Sequence, residues 1–284
     1  LQPIYLTRAI TEDLARTDFK GFDAPPNDIY PVYTFMLPKS TVSNFMMIGF
    51  PKHSVAKFKK ILLDEGFTIV IVDQVTPPPG PRREIVETCS PGTVMSNEYD
   101  RDSDNYLASL YIDCDQVNDK IMYSCGLTLI NVQTGRNIVS SISPQIADDN
   151  SWVNELNRIL YSYSVVEYLI HYSPSVQISD KDIQSRFDTM MNKCCNFNIY
   201  KSEMKSFSKI SYQNDTLNKV FKIKTILTPI EYFDWERKPN IVLSYLFMLH
   251  HVYLHKSDLI NNISFPREES ESEFLKITSD GIRQ

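Results

Sequence analysis

Gly66 stands between two stretches of opposite periodicity, and no other point of the sequence restricts the fold as tightly. Before it, starting at Ser54, the apolar residues Val55, Phe58, Ile61 and Leu62 recur at spacings of three, three and one, which puts a single apolar stripe on a helix. After it, Phe67-Thr-Ile-Val-Ile-Val-Asp73 is the β-branched run of a buried strand. A glycine directly behind a helix provides the left-handed residue that closes it, so helix, glycine and strand form one folding unit. A helix with one apolar stripe beside a buried strand implies an α/β fold.

The surrounding sequence extends this pattern. Phe45 to Phe50 reads as a buried strand closed by Gly49 and Pro51, behind a Pro-rich stretch containing Pro25, Pro26 and Pro31. Pro77 to Pro81 is a rigid loop, Arg82 to Thr88 alternates polar and apolar residues like a strand, and Ser90-Pro-Gly-Thr93 marks a turn. The acidic run Glu98 to Asp104 suggests a boundary near Asp102. Beyond it, Tyr106 to Ile112, Ile121 to Val132 and Asn137 to Ile142 are expected as an antiparallel meander, turning through Asp113 to Asp119 and through Gln133-Thr-Gly135. Trp152 to Leu160 has helical spacing, and Ser164 to His171 is a strand candidate. Near Asn240 begins an apolar stretch about four helical turns long, the mark of a helix packed inside a larger assembly.

At 284 residues the chain exceeds one typical domain of about 100–200 residues. The expected division is 1–102, 103–236 and a terminal helical region over 237–284. The longest apolar stretches fall short of the roughly 20 residues a membrane helix requires, so no membrane span is expected. The chain begins at Leu1 rather than Met, carries no secretory pattern, and is read as a fragment. Its cysteines, Cys89, Cys114, Cys125, Cys194 and Cys195, are odd in number and form no C-x-x-C pair, which fits an intracellular reducing compartment. The net charge of −6 opposes binding of nucleic acid by broad phosphate neutralisation. A nucleic-acid site here requires a local basic patch, or phosphate contacts made by other parts of a longer chain.

Met47-Ile-Gly-Phe-Pro-Lys-His-Ser-Val55, Leu62 to Gln74, Arg83-Glu-Ile-Val-Glu87 and Ser90-Pro-Gly-Thr93 resemble, in order and spacing, the mismatch-recognition domain of the MutS DNA mismatch repair family. Tyr106 to Leu110 and Gly126 to Gly135 resemble the opening strands of the MutS connector, and Phe274 to Ile277 with Ile282 and Arg283 resemble the entry to the MutS lever and core. The Gly-Phe-Pro variant is most similar to the branch found in giant viruses and octocoral mitochondria. The resemblance implies a mixed-sheet recognition domain, a ribonuclease-H-like connector and the start of a helical lever. It also implies a homodimer that bends mismatched double-stranded DNA and probes it from the minor groove with an aromatic wedge. A mispaired step unstacks more cheaply, so such a wedge discriminates by deformation energy rather than by base sequence. No phenylalanine here begins the family's Phe-x-Glu triplet, which is expected upstream of Leu1. A MutL-like partner is implied at the connector. The compartment would be a viral factory, host cytoplasm or virion on the viral side of the branch, and the mitochondrion on the other.

Carried over residue by residue, the DNA-facing candidates are Met47, Gly49, Phe50, Pro51 and Lys52 in the loop near the minor groove, with Arg8, Arg82 and Arg83 as phosphate contacts. Met47 and Phe50 could equally be core and Gly49 a turn. Lys52, Lys57, Lys59 and Lys60 around one helix could meet phosphates or simply be solvated. The chain contains no G-x-x-x-x-G-K-[ST] loop, so no cofactor is expected here, and ATP and magnesium are expected in an ATPase beyond Gln284. Two other readings stay open. A ribonuclease-H-like sheet can carry paired carboxylates for metal-dependent cleavage, for which Asp113 and Asp115 are available, although acids in a hairpin are more often turn residues. His251 and His255 have a metal-compatible spacing but no third ligand. The second alternative is a protein-interaction module without direct DNA binding.

Overall fold

The computed structural model describes residues 5–6, 33–35, 47–49, 55–76, 80, 82–94, 105–117, 120–143, 151–173, 197–201, 206–255 and 257–269. The chain divides into two compact units, Leu1–Pro91 and Gly92–Gln284.

In the first unit, β1 (Tyr5–Leu6), β4 (Ile69–Gln74) and β5 (Arg83–Cys89) form an antiparallel sheet in the order β1-β4-β5. A separate ribbon pairs β2 (Tyr33–Phe35) with β3 (Met47–Gly49), Tyr33 opposite Gly49. Helix α1 (Val55–Asp64) stops where the sequence requires. Gly66 takes φ +89, its N–H donates to the Leu63 carbonyl at 2.9 Å, and the Phe67 N–H donates to the Leu62 carbonyl at 2.9 Å. These two bonds are the Schellman closure, and they deliver the chain into β4.

The second unit is built on a six-stranded sheet in the order β10-β9-β6-β7-β8-β11. Its first three strands, β6 (Asn105–Val117), β7 (Lys120–Ile130) and β8 (Asn137–Ile142), make the antiparallel meander. Helix α2 (Ser151–Tyr161) follows, then β9 (Ser164–Tyr172), parallel to β6, and β10 (Phe197–Lys201), parallel to β9. Helices α3 (Ile210–Phe221), α4 (Pro229–Tyr232) and α5 (Pro239–His255), a 3-10 turn over Ser257–Asn262 and β11 (Arg267–Glu268), parallel to β8, complete it. The α/β class read from the sequence is the class observed.

Strand alternation distributes the core over both faces of this sheet. Tyr106, Ala108, Leu110 and Ile112 of β6 pack with Trp152, Leu156 and Ile159 of α2. Leu107 and Tyr111 face the other way, into a cluster with Phe207, Leu217 and the buried side of α5. The contact with α5 is close because it is built from small residues. Ser109 Oγ donates to the Ser244 carbonyl at 2.8 Å, and Ser244 Oγ donates to the Ile241 carbonyl at 3.0 Å. The Thr128 hydroxyl is then left to donate to Ser244 Oγ, at 2.8 Å.

Three expectations differ from what is observed. The strand expected to end at Ile112 continues to Val117, because Asp113 and Asp115 pair in register with Ser124 and Met122. The division expected near Asp102 falls between Pro91 and Gly92, because the Gly92 N–H donates to Glu167 Oε2 at 2.9 Å and the Val94 carbonyl accepts from Gln133 Nε2 at 3.2 Å. The helix assigned to a separate region over 237–284 is α5, and it lies on the sheet of the second unit with Ile241, Tyr245, Met248 and Val252 buried. Its apolar character on most sides is satisfied by the sheet below and by α3, α4 and the 3-10 turn around it.

Candidate nucleic-acid interface

The residues expected to meet DNA belong to the first unit. Met47 and Gly49 lie in β3, where they pair with Phe35 and Tyr33. The ribbon's second strand thus ends at Gly49, the first residue of the Gly-Phe-Pro sequence. Arg8, Phe50, Pro51 and Lys52 lie outside the described residues. Arg83 opens β5 opposite Gln74, and Arg82 precedes it in the β4–β5 connection.

That connection is held by one side chain. Thr76 Oγ1 donates to the Gly80 carbonyl at 3.0 Å and accepts from the Arg82 N–H at 2.7 Å, while the Val75 N–H donates to the Arg82 carbonyl at 2.9 Å. The Arg82 backbone is therefore fixed even though its side chain is well exposed. Its guanidinium meets Glu84 at 2.7 Å, so it reaches solvent already paired with a carboxylate. An exposed pair of this kind contributes at most about 1 kcal/mol, and a phosphate could displace the carboxylate at small cost.

The lysines of α1 are not equivalent. Lys59 Nζ donates to Glu87 Oε1 at 2.6 Å, tying the helix to β5 with a half-buried pair. Lys59 is therefore a structural residue, while Lys57 and Lys60 are exposed on the same helix. Beside this pair Cys89 is buried; burial pushes its thiol up to about 11 against the opposing pull of Lys59, so it stays protonated and unreactive.

The residues behind the alternative readings lie in the second unit. Asp113 and Asp115 are two apart on β6 and so share one face of the strand, and Asp113 Oδ1 accepts from the Cys114 N–H at 2.9 Å. His251 and His255 follow one another on α5 with ring centroids 4.1 Å apart. His255 Nδ1 lies 2.8 Å from the His251 carbonyl. Among the described residues no group of three or more His, Cys, Asp or Glu could hold a metal. The sequence reading missed Glu167. Its carboxylate, buried in β9, accepts from Gly92 and lies 3.4 Å from His251 Nε2. The available signal was a lone acid inside the apolar run Ser164 to Tyr172.

Residues 30–98 match the family model described as MutS domain I, a span that includes the β2–β3 ribbon, α1, β4 and β5. Over residues 30–98 the chain is therefore similar to the first domain of the MutS family. More particularly, it is similar to a mutS homolog of Acanthamoeba polyphaga mimivirus, 28% identical over 251 residues covering 81% of this chain and 22% of that protein. It is also similar to the DNA mismatch repair protein MutS of Treponema denticola, 32% identical over 152 residues, 51% of this chain and 16% of that protein. The MutS of Clostridioides difficile is 24% identical over 234 residues, 81% of this chain and 21% of that protein. The chain spans about a fifth of the length of the curated relatives it matches. The mimivirus relative supports the giant-virus side of the branch. Among the described residues no helix is long and apolar enough to cross a membrane.

Proposed function

We propose that this chain is the front part of a MutS-type DNA mismatch-recognition protein of giant-virus type, and that its first unit contacts mismatched duplex DNA. The observation that carries the reading is the MutS domain I match over residues 30–98, which holds the β2–β3 ribbon and the Gly-Phe-Pro loop together. Met47, Gly49, Phe50, Pro51 and Lys52 would face the minor groove, with Arg8, Arg82 and Arg83 on phosphates. Glycine suits that position because it lets backbone approach the sugar surface. With a net charge of −6, affinity depends on this local face and on other parts of the parent protein. The second unit is read as the ribonuclease-H-like connector, in line with a meander continued by parallel strands. The connector would relay nucleotide state and meet a MutL-like partner. The parent protein would be a homodimer that bends DNA. The described residues and the sequence contain no phosphate-binding loop, so ATP and magnesium are assigned to an ATPase elsewhere in the parent.

The test is fluorescence anisotropy with matched and mismatched duplexes at low salt, on residues 1–284 and on the parent protein. Weak binding by the fragment and mismatch-selective binding by the parent are expected. A parent that binds both duplexes equally would sink the reading. Tight, mismatch-selective binding by the fragment would place the wedge within residues 1–284.

A further inference from the structure

The connection between α3 and α4 displays apolar side chains on a well-defined backbone. Lys222 caps α3 in the left-handed conformation, φ 50, with its N–H on the Asn218 carbonyl at 2.8 Å. Thr228 opens α4 with a full capping box. Its hydroxyl accepts from the Glu231 N–H, and the Glu231 carboxylate accepts from the Thr228 N–H at 2.7 Å. Between these two stops lie Thr225, Ile226 and Leu227, with Thr225 Oγ1 donating to the Leu227 carbonyl at 3.3 Å. Ile226 is fully exposed and Leu227 more than half so. Leu227 holds the position before the cap that pairs with the fourth residue of a helix, here the exposed Tyr232. The Tyr232 ring lies 6.0 Å from that of Phe265, also exposed. Ile226 and Leu227 are thus exposed at the loop tip, and Tyr232 and Phe265 are exposed as a ring pair on the α4 side of it.

The tip itself carries basic charge, and Glu231, Asp234 and Glu236 follow it on the α4 side. Residues 216–230 contain Lys219, Lys222 and Lys224 and no acid, in a chain whose net charge is −6. All three lysines are exposed, and none has an ion-pair partner among the described residues. Asp215 and Glu231 flank this stretch, and the Glu231 carboxylate accepts from the Thr228 N–H and hydroxyl.

We propose that this patch is a docking site for an acidic segment of a partner protein that carries an apolar anchor. Exposed apolar side chains beside unpaired cations fit a partner segment with an apolar anchor and acidic residues next to it. DNA would satisfy the lysines but cover Ile226 and Leu227 only by unstacking a base step, which leaves Tyr232 and Phe265 uncovered. A second copy would oppose the same lysines across a two-fold axis and be repelled. The site lies outside the residues assigned to DNA and stands whether or not the mismatch reading holds.

The experiment uses residues 1–284 and a short fluorescein-labelled peptide in which Glu and Asp alternate with Leu and Phe, beside the same anchors between Ser and Gly, and a matched duplex. Saturable binding of the acidic peptide is expected, at least about tenfold tighter than the neutral one and weakened by salt. Ile226→Asp should weaken it at least about tenfold, and Lys222→Glu with Lys224→Glu should remove most of the salt dependence, with circular dichroism of each variant unchanged. Duplex binding measured on the same variants should not move, which separates failure here from failure of the mismatch reading. The proposal is overturned if the acidic peptide does not bind or if Ile226→Asp leaves its binding intact. It is overturned equally if the duplex competes for this patch, or if Ile226→Asp instead abolishes a dimer of residues 1–284.

Discussion

Alanine at Gly126 should detach α5 from the sheet. A Cβ built there would lie 2.0 Å from the Asn240 carbonyl oxygen, 2.2 Å from its carbon and 2.7 Å from the Ile241 nitrogen. All three are backbone atoms of the first turn of α5, so no rotamer change relieves the overlap. Ordinary contact begins near 3.5 Å, so the helix end must withdraw by roughly 1 Å or more. Asn240 Nδ2 donates to Ser124 Oγ at 2.9 Å and resists that movement. Overpacking alone costs about 1–3 kcal/mol, and withdrawal also weakens the buried bonds of Ser109 and Thr128 to Ser244, each contributing about 1 kcal/mol. A loss of about 3–5 kcal/mol is expected, a large share of the roughly 5–15 kcal/mol available to a folded domain. Urea unfolding followed by tryptophan fluorescence measures it, and hydrogen exchange along α5 locates it. Gly80→Ala is the control, since a Cβ there meets nothing within 4 Å, and it should cost less than about 0.5 kcal/mol. If Gly126→Ala shifts the midpoint no more than this control and α5 keeps its protection, the tight approach of helix and sheet is refuted.

Acidification should destabilise the second unit. His171 is held down at about 3 by burial, then by the neighbouring charges of His251 and His250; buried Glu167 lies 3.4 Å from His251 Nε2, and His255 is also shifted down. Above pH 6.5 neither the folded nor the unfolded form carries the His171 proton. Between 6.5 and about 3 only the unfolded form binds it, so stability falls by up to about 1.4 kcal/mol per pH unit. Urea midpoints from neutral pH to pH 5 should show this slope, and His171→Phe should flatten it; an unchanged slope would assign the effect elsewhere. Thr228→Ala should cost about 1 kcal/mol through loss of the capping box and raise exchange in residues 225–232, whereas unchanged exchange would mean the box does not hold the loop. Gly49→Val in the parent protein should lower mismatch binding at unchanged thermal midpoint. Unfolding, or unchanged binding, would make that loop structural.

The parts of the fold legible in advance were those decided by local physics. Gly66 had to take positive φ behind an amphipathic helix, and the β-branched run after it had to be a buried strand. The meander and α2 followed from alternation and from helical spacing in the same way. What local pattern could not show was how far pairing or packing overrides a preference. Asp113 and Asp115 favour turns, yet the partner strand across from them extends the ladder to Val117. Most of the candidate DNA loop could be read only through resemblance, because its sequence contains no set of reactive side chains for local pattern to mark.

The position of α5 shows where such information resides. An all-round apolar helix announces that it is enclosed and leaves open by what. The answer was written on its neighbours, in a glycine inside the strand Lys120–Ile130 and in small polar residues, Ser109 and Thr128, within otherwise apolar strands. A strand glycine signals close approach of another backbone, and buried hydroxyls require a partner. Taken together they call for a helix with a small polar residue of its own, and Ser244 is that residue in α5. Glu167 follows the same logic. An acid within a buried strand must accept from something, and it takes the Gly92 N–H at the position where a Cβ would come within 2.9 Å of its own oxygen. A side chain at Gly92 would therefore push the first turn of the second unit off this carboxylate. In both places the exceptions to a strand's apolar pattern, more than the pattern itself, locate what packs against it.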